Sequence, residues 1–215
     1  MKFGVVRFPG SCDDLDALGA AARVGEAVLL WHADRDLLGV DAVVVPGGFS
    51  YGDYLRAGAI ARFAPVMESV VSFAHEGGLV LGICNGFQVL CEAGLLPGAL
   101  LPNESLKFVF RQVRVEVVDR DTPFTHDCLD TLSIPVKHTT GRYYSPESVR
   151  VLLRYAPGEN PNGSQHDIAG VANEADNVFG LMPHPEHAVD LMTGSADGLT
   201  IFESMRAHVA GRAYV

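Results

Sequence analysis

The stretch VLGICNGFQVL, Val80 to Leu90, decides the fold, because it places Cys84 between two glycines where an apolar run turns into a helical pattern. The residues Leu79–Ile83 have the length and composition of a buried strand. A strand that enters a helix through G-x-C-x-G is typical of a nucleophile elbow, where small flanking residues avoid steric overlap. The sequence therefore predicts a reactive cysteine on a sharp strand-to-helix turn.

The predicted position of Cys84 also has an electrostatic consequence. At a helix N-terminus, free N–H groups and the helix dipole favour the thiolate, which is the nucleophilic form. The same N–H groups, beginning with that of Asn85, point to where a tetrahedral oxyanion would form. The alternative is that Cys84 is a small buried hydrophobic residue at a tight junction, and the elbow pattern alone does not separate the two interpretations.

A proton carrier for this thiolate is found in LMPHPEHAV, residues 181–189. A thiolate that attacks an amide needs a group that protonates the leaving nitrogen, and usually a second group that orients the first. Pro185 favours an extended His184, and in an extended segment side chains two apart point the same way. Glu186 is therefore expected to accept a hydrogen bond from His184. The alternative is a proline-rich strand exit with solvated polar side chains.

Length and composition limit the class of protein. The chain has 215 residues, of which 48% are hydrophobic and 20% charged, and these values are typical of a globular protein with a sizeable core. This length suits one α/β domain, predicted to span residues 1–215. The formal net charge of −10 disfavours nucleic acid or an anionic membrane as the main partner, because both attract a cationic surface.

The composition also bears on the compartment and on metals. No apolar run approaches the roughly 20 residues of a membrane span, and Pro9 and Gly10 come too early for a signal peptide. The four cysteines contain no CxxC pair, which favours a reducing compartment. His126, Asp127 and Cys128 are adjacent but lack further ligands for a metal. The protein is therefore expected in the cytoplasm, with no bound metal.

Short apolar runs alternate with helical patterns in the first half of the chain, which predicts a mostly parallel sheet with helices on both faces. The first helix is expected to start at Ser11, with Asp14 three residues on, and to end at Gly25. Two further helical segments are expected before Gly77, separated at Pro65. The predicted strands of this half are Lys2–Phe8, Ala27–Trp31, Ala42–Val45 and Leu79–Ile83.

The second half of the chain has a different pattern. Residues 107–118 alternate like a strand, and irregular segments follow, among them LSIPV at residues 132–136. Two apolar runs flank the turn at residues 173–177 like a hairpin, and the last helix is expected to bury Phe202 and Met205. We interpret this half as an antiparallel elaboration of the same domain, because no linker interrupts it.

Several motifs together carry a family resemblance. GICNG, PHPE about a hundred residues later, and PGG ahead of both resemble the class I glutamine amidotransferases, whose triad is Cys, His and Glu in that chain order. PGGFSYGDYLRAGAIARFA, residues 46–64, is similar to one subfamily, the glutaminase subunits of phosphoribosylformylglycinamidine synthase in purine biosynthesis. The motifs that extend the match over nearly the whole chain are NGFQVL, GLLPGAL, DIAGV, MPHPEHAV and GSADGL.

This resemblance implies a flavodoxin-like sheet and the hydrolysis of L-glutamine to glutamate and ammonia. The ammonia would pass to a large ATP-using synthase subunit that converts formylglycinamide ribonucleotide to formylglycinamidine ribonucleotide, and a small third subunit would bridge the two. No cofactor is expected in this chain, and ATP and Mg²⁺ are expected on the partner. The Gly-rich segment GGFSYGD lacks the Lys-Ser/Thr of a phosphate-binding loop.

The resemblance also implies roles for two groups of residues. Cys84 is expected to be the nucleophile, His184 the general acid and base, and Glu186 the group that orients His184. The residues expected at the oxyanion and at the substrate amide are Gly47, Gly48, Asn85 and Gln88.

The chain departs from the family pattern at two places. His187 follows PHPE where the family usually has arginine, so a charged contact is lost there if this histidine is neutral. Residues 138–141 read His-Thr-Thr-Gly where related chains tend to read His-Gly-Glu-Gly, which leaves open any role of this loop in partner contact or substrate approach. Neither change touches the expected triad.

Control by the partner is expected at residues 46–64. Two successive glycines, Gly47 and Gly48, have no side chain to hold the loop, so its N–H groups are expected to turn toward the oxyanion only when a partner orders it. The expected anchors for that partner are Tyr51, Tyr54 and Arg56, which are residue types enriched at interfaces.

Three alternatives to this function stay open on the sequence. The first is a glutaminase that serves another synthase, and only the segment GGFSYGDYLRAGAIARF, residues 47–63, speaks strongly against it. A stress-response deglycase or chaperone of the same fold also has a cysteine elbow, but generally lacks the following His-Pro-Glu. A non-catalytic scaffold protein is the third. Glutamate release from glutamine separates a glutaminase from the deglycase or chaperone and from the scaffold. Cys91 lies on the same helix face as Cys84 and is expected in the core.

Overall fold

Strands and helices alternate in the first half of the chain, and strands dominate the second, in the computed structural model, which describes residues 1–212. The helices are α1 (Asp14–Ala22), α2 (Pro65–His75), α3 (Asn85–Glu92) and α4 (Leu199–Arg212). The strands are β1 (Lys2–Arg7), β2 (Glu26–Trp31), β3 (Ala42–Val45), β4 (Leu79–Ile83), β5 (Ala99–Leu101), β6 (Val109–Val117), β7 (Thr131–His138), β8 (Arg142–Tyr144), β9 (Arg150–Tyr155), β10 (Ile168–Ala172) and β11 (Val178–Leu181).

One nine-stranded sheet has the order β2-β1-β3-β4-β11-β10-β9-β6-β7. The pairs β2-β1, β1-β3, β3-β4 and β4-β11 are parallel, and the remaining pairs are antiparallel. A separate two-stranded sheet joins β5 to β8. The order 2-1-3-4 is that of a flavodoxin-like fold, whose ligands bind at the carboxyl ends of the parallel strands. The predicted mostly parallel sheet with an antiparallel elaboration is therefore confirmed.

The central strands β3 and β4 are buried at every position, because helices cover both faces of the parallel sheet. Their bounds are those predicted from the apolar runs in the sequence. The hairpin of β10 and β11 is also confirmed, and the Asn173 side chain closes its turn by accepting from the Asn177 and Val178 amides at 3.1 and 3.0 Å. Phe202 and Met205 of α4 are buried as expected.

The first predicted helix starts later than expected. Helix α1 begins at Asp14, and the Ser11 hydroxyl accepts from the Phe8 amide at 3.0 Å. Ser11 therefore closes a turn after β1 and does not cap the helix. The predicted end is close to correct, because α1 ends at Ala22 and the Gly25 amide donates to the carbonyl of Ala21 at 3.0 Å.

The prediction of a helical segment ahead of Pro65 is wrong. This stretch contains 3₁₀ turns at Ser50–Asp53 and Ala61–Phe63, and Tyr51, Asp53 and Leu55 have φ of 53°, 53° and 73°. Three non-glycine residues with positive φ cannot lie in a right-handed helix. The second segment is confirmed, because Pro65 starts α2 at its first turn.

The segment LSIPV, expected to be irregular, forms the regular strand β7. Leu132, Ile134 and Val136 are buried on one face, which is the alternation of a half-buried strand. Pro135 argued against a strand here, because proline has no N–H to donate. Strand β7 lies at the edge of the sheet, where a missing N–H is tolerated. None of the helices within residues 1–212 is long and apolar enough to cross a membrane.

Candidate active site

Cys84 lies on a strained turn between β4 and α3. Its φ of 51° and ψ of −102° lie outside the regions that L-residues normally occupy. Such strain persists only where the surroundings fix it, and it is common at functional sites. The Cys84 amide donates to the carbonyl of Leu181 in β11 at 2.8 Å, which helps to hold the turn. The predicted elbow is confirmed in its geometry.

The glycines on either side of Cys84 are required by close approach. A Cβ on Gly82 would lie 2.9 Å from the backbone of Gly86, and a Cβ on Gly86 would overlap the carbonyl oxygen of Val45 in β3. Helix α3 therefore starts in direct backbone contact with the sheet, which aims its N-terminus at the edge where the strands end.

Gly86→Ala is expected to lower the free energy of unfolding by several kcal/mol or to prevent folding. The added Cβ would overlap the Val45 carbonyl, and neither α3 nor β3 can shift without disturbing the core. Gly19→Ala is the matched control: Gly19 lies in α1 with no atom within 4 Å of an added Cβ, so alanine should stabilise the chain by about 0.5–1 kcal/mol. Urea denaturation of both variants measures the difference. Equal stabilities would show that the Gly86 contact relaxes without cost.

His184 and Glu186 form a buried pair at the carboxyl end of β11. His184 Nδ1 donates to Glu186 Oε1 at 2.6 Å, and both side chains are at most 1% exposed. The predicted contact is confirmed, but the expected extended backbone stops at His184, because Pro185–His187 form a 3₁₀ turn. The His184 amide donates to the carbonyl of Pro135 at 2.8 Å, which fixes this turn to β7.

Cys84 and His184 both line one cavity that opens to solvent between the elbow and β7. His184 Nε2 is buried and bonded to no other group within residues 1–212, so it is the nitrogen left to serve the sulfur. The Cys84 thiol donates to the carbonyl oxygen of Lys137 at 3.8 Å. The predicted nucleophile and proton carrier therefore share one site.

The charges around His184 favour its imidazolium form. Burial alone lowers the pKa of His184, but the negative charge of Glu186 and the interactions with the Cys84 side chain outweigh it and raise the pKa from 6.5 to about 10. A protonated His184 is the form that can give a proton to a leaving nitrogen.

The expected oxyanion loop lies beside this cavity. Gly48 lines it, while the Gly47 carbonyl accepts from the amides of Cys12 and Asp13 at 3.3 Å each. A Cβ on Gly47 would lie 2.8 Å from His184 Cε1, so this glycine is packed against the histidine ring. The backbone of residues 10–13 thus holds a loop that was expected to be free.

Asn85 and Gln88 connect the elbow to the neighbouring loops. The Asn85 side chain accepts from the Ser50 amide at 3.0 Å and donates to Gln88 Oε1 at 2.8 Å. Gln88 lines the cavity, and its Nε2 donates to the carbonyl of Thr140 at 2.6 Å. The Asn85 amide begins α3, where the first turn of a helix leaves N–H groups without intrahelical acceptors. The oxyanion and substrate roles of these residues stay predictions.

The sequence interpretation missed two charged residues of the site, Asp13 and Lys137. Asp13 is 3% exposed, binds Lys137 Nζ through Oδ1, and places Oδ2 3.7 Å from His184 Nδ1. Asp13 could have been found, because it follows β1 and the carboxyl ends of parallel strands meet at one edge of a sheet. Lys137 had no such signal, because the antiparallel strand β7 could not be placed from the sequence.

Comparison with known proteins supplies the family. Residues 1–209 match the family described as the CobB/CobQ-like glutamine amidotransferase domain. The chain belongs to this glutamine amidotransferase family. A relative from Rubrobacter xylanophilus, named phosphoribosylformylglycinamidine synthase subunit PurQ, is 59% identical over 96% of this chain and 98% of its own. A protein of the same name from Salinibacter ruber is 54% identical over 97% of both chains.

Solved structures agree with this assignment. A chain of the structure described as PurLQS from Thermotoga maritima is 44% identical, with a TM-score of 0.92 over 97% of this chain and 98% of that chain. A protein from Thermoplasma acidophilum, described as one chain of a GMP synthase, is 17% identical with a TM-score of 0.71 over 100% of this chain and 96% of that chain. The second likeness shows a shared fold alone.

The two departures from the family pattern both lie at the site of this amidotransferase. His187 donates from Nε2 to Asp13 Oδ1 at 3.1 Å, so it keeps a polar contact where an arginine is usual. His138 is buried and donates from Nδ1 to Asn103 Oδ1 at 3.0 Å, while burial and the nearby His184 lower its pKa to about 4. Thr139 and Thr140 line the cavity in place of the missing acid.

Four side chains of the site could in principle offer ligands to a metal, because their donor atoms lie within 4.8 Å of one another: Asp13, His184, Glu186 and His187. These atoms are engaged with each other and with Lys137. We therefore interpret the group as an ion-pair network of the amidotransferase, and the expected absence of a metal stays a prediction.

The other cysteine motifs have simple structural partners. Cys91 donates to the carbonyl of Pro97 at 3.7 Å, and burial raises the pKa of its thiol, which disfavours a nucleophilic role. Cys128 is buried and donates to the carbonyl of Phe124 at 3.8 Å, whereas His126 and Asp127 lie at the surface 3.4 Å apart.

Proposed function

We propose that the chain is the glutaminase subunit of phosphoribosylformylglycinamidine synthase and hydrolyses L-glutamine to glutamate and ammonia through Cys84, His184 and Glu186. The observation that carries the chemistry is the strained Cys84 in a cavity that it shares with the buried His184–Glu186 pair. The relatives named PurQ support the choice of synthase.

Catalysis begins with attack of the Cys84 thiolate on the γ-carbonyl carbon of glutamine. The carbonyl oxygen becomes an oxyanion, which receives N–H groups from Gly48 and Asn85. His184 gives a proton from Nε2 to the leaving nitrogen, the C–N bond breaks, and ammonia departs from a glutamyl thioester on Cys84.

Hydrolysis of the thioester uses the same groups in reverse. The neutral His184 takes a proton from water at Nε2, and the resulting hydroxide attacks the thioester carbonyl. The C–S bond breaks, glutamate leaves, and the thiolate–imidazolium pair is restored. Glu186 holds the ring through Nδ1 in both halves, so Nε2 faces the sulfur throughout.

The ammonia serves a large ATP-dependent synthase subunit, with a small subunit bridging the two chains. That partner uses it to convert formylglycinamide ribonucleotide to formylglycinamidine ribonucleotide, and ATP and Mg²⁺ bind there. The proposal is supported by the likeness to a chain of the structure described as PurLQS. The proposed compartment is the cytoplasm, in keeping with the free state of Cys12, Cys84, Cys91 and Cys128.

A glutaminase for a different synthase is disfavoured. Identities of 54–59% over nearly the whole length join this chain to relatives named PurQ, whereas its likeness to the protein described as one chain of a GMP synthase is one of fold. The deglycase and chaperone alternative is also disfavoured, because those proteins generally lack the His-Pro-Glu motif that here forms the buried His184–Glu186 pair.

The surface proposed for the partner is the irregular segment before α2. Tyr54, Leu55 and Phe63 of this segment are 74%, 86% and 72% exposed, and Asp53 of the same segment lines the cavity. Tyr51 was expected to be an exposed anchor, and this expectation is wrong, because its hydroxyl hydrogen-bonds His32 Nδ1 at 2.6 Å. Arg56 is exposed but already paired with Glu92 at 2.6 Å.

Glutamate release by the isolated chain is expected to be slow. The synthase partner and its nucleotides should raise its rate by about 10²–10³, which is the typical effect of one oxyanion hydrogen-bond donor on kcat. Leu55→Asp should reduce this rise, because it places a charge on the exposed segment before α2, whereas Leu129→Asp, at an exposed leucine outside that segment, should not. An assay of glutamate release with and without partner tests this. Equal rates in both conditions would rule out control by the partner.

A further inference from the structure

A second buried carboxylate lies beside the proposed catalytic histidine. Asp13 Oδ2 is 3.7 Å from His184 Nδ1, the same nitrogen that donates to Glu186 at 2.6 Å. The Asp13 side chain is 4% exposed, so water screens its charge poorly. The hydrolysis described above needs one orienting carboxylate, and Asp13 is therefore a group with no assigned part in it.

Asp13 is held from the opposite side by two basic side chains. Oδ1 accepts from Lys137 Nζ and, at 3.1 Å, from His187 Nε2. Lys137 also places its own carbonyl oxygen 3.8 Å from the Cys84 sulfur. The ion pair between Asp13 and Lys137 thus connects the histidine to the part of β7 that faces the nucleophile.

The backbone of Asp13 contacts the Gly47-Gly48 loop. Its amide donates to the carbonyl of Gly47 at 3.3 Å, and Gly47 packs against both the Asp13 carboxylate and the His184 ring. One residue therefore contacts the Gly47-Gly48 loop, the histidine and the strand beside the cysteine, although these segments are far apart in the sequence.

We propose that Asp13 is a positioning residue of this glutaminase, whose carboxylate stabilises the imidazolium form of His184 to a degree set by its ion pair with Lys137. This inference rests on the function proposed above. Asp13 also lines the cavity, but the proposed effect is exerted through His184.

The sign of the effect follows from the charged and titratable groups that surround His184. The anions are Glu186, Asp13 and the Cys84 thiolate, the cation is Lys137, and the two further titratable neighbours are His138 and His187. Removal of the Asp13 charge takes away an anion, so the imidazolium is lost at a lower pH. Removal of the Lys137 charge takes away a cation, so the imidazolium persists to a higher pH.

The pKa of Asp13 agrees with this arrangement. Burial raises it, but the hydrogen bond from His187 and the charges of His184 and Lys137 outweigh burial and hold it well below the ordinary range. Asp13 is therefore an anion at every pH at which the enzyme would work. Its influence on His184 is expected to be smaller than that of Glu186, which is the nearer carboxylate.

The test is a titration of His184 by NMR in the full chain labelled at histidine, followed by pH profiles of glutamate release in the complex with the synthase. Asp13→Asn should lower the His184 midpoint by about one pH unit, since an opposite charge at this range is worth one unit or more. The alkaline limb of kcat/KM should move down with it. Lys137→Met should move the midpoint upward.

Asp14→Asn is the matched control, because Asp14 is the adjacent buried aspartate but pairs with Arg7 on the other side of the loop. Its His184 midpoint should equal that of the wild type. Midpoints that stay unchanged in both test variants, or that move in the same direction, would overturn the inference and leave Asp13 a purely structural residue. If Asp13→Asn does not fold, the upward shift in Lys137→Met still decides.

The two proposals fail in different ways. Glutamine hydrolysis that survives Cys84→Ala would defeat the proposed function, whatever the His184 midpoint does. Hydrolysis that depends on Cys84, combined with a midpoint insensitive to Asp13 and Lys137, would defeat this inference alone.

Discussion

Cys84→Ala is expected to abolish glutamine-dependent synthesis by the assembled synthase while synthesis from added ammonium continues. The chain would only generate ammonia, so supplying ammonium bypasses it. Loss of the covalent nucleophile should reduce kcat for glutamate release by about 10⁶, as in other enzymes that act through an acyl intermediate. Product formation measured with each nitrogen source in turn gives both results.

The control for this prediction is Cys91→Ala. Cys91 lies on the same helix α3, but its thiol bonds the Pro97 carbonyl and does not line the cavity that holds Cys84. This variant should keep most of its activity. An equal fall of ammonium-driven synthesis in Cys84→Ala would mean that Cys84 is structural, and a complete loss in Cys91→Ala would mean that the wrong thiol was chosen.

Glu186→Gln is expected to lower kcat for glutamate release by about 10⁴, because replacement of an orienting carboxylate by an amide leaves the histidine in the wrong tautomer. The amide also removes the negative charge that raises the pKa of His184 most. KM for glutamine should change little, since Glu186 is buried behind the ring and does not line the cavity. Initial rates over a range of glutamine concentrations in the assembled complex measure both constants.

Glu68→Gln serves as its control, because Glu68 pairs with Arg35 on the exposed face of α2, remote from the site. Its kinetics should match those of the wild type. A Glu186→Gln variant with a raised KM and an unchanged kcat would show that Glu186 binds substrate and does not orient His184.

The parts of the site that the sequence predicts are those written in contiguous residues. The elbow requires Gly82, Cys84 and Gly86 within one strand–helix junction, and the His184–Glu186 contact requires residues two apart. Local sterics decide both, so a short motif is sufficient. Strands β3 and β4 were predicted with their observed bounds for a similar reason, because a fully buried parallel strand is a continuous apolar run.

The parts that the sequence does not predict depend on contacts between distant segments. Asp13 and Lys137 are 124 positions apart, and their ion pair exists only because the fold brings β7 next to the residues that follow β1. The segment before α2 was predicted to be helical, yet Tyr51, Asp53 and Leu55 adopt positive φ, which tertiary contacts impose on residues that are not glycine. The conformation of that segment, and therefore its exposed anchors, could not be read from residue types.

The central claim, that Cys84 is the nucleophile of a glutaminase, is tested most directly by covalent trapping. A glutamine analogue that carries a diazoketone in place of the side-chain amide should alkylate the attacking sulfur, and excess glutamine should protect it. Peptide mass mapping of the treated complex locates the adduct. One adduct is expected, on the peptide that contains Cys84, and excess glutamine should suppress it. An adduct on Cys12, Cys91 or Cys128 that glutamine suppresses, or no adduct at all, would contradict it.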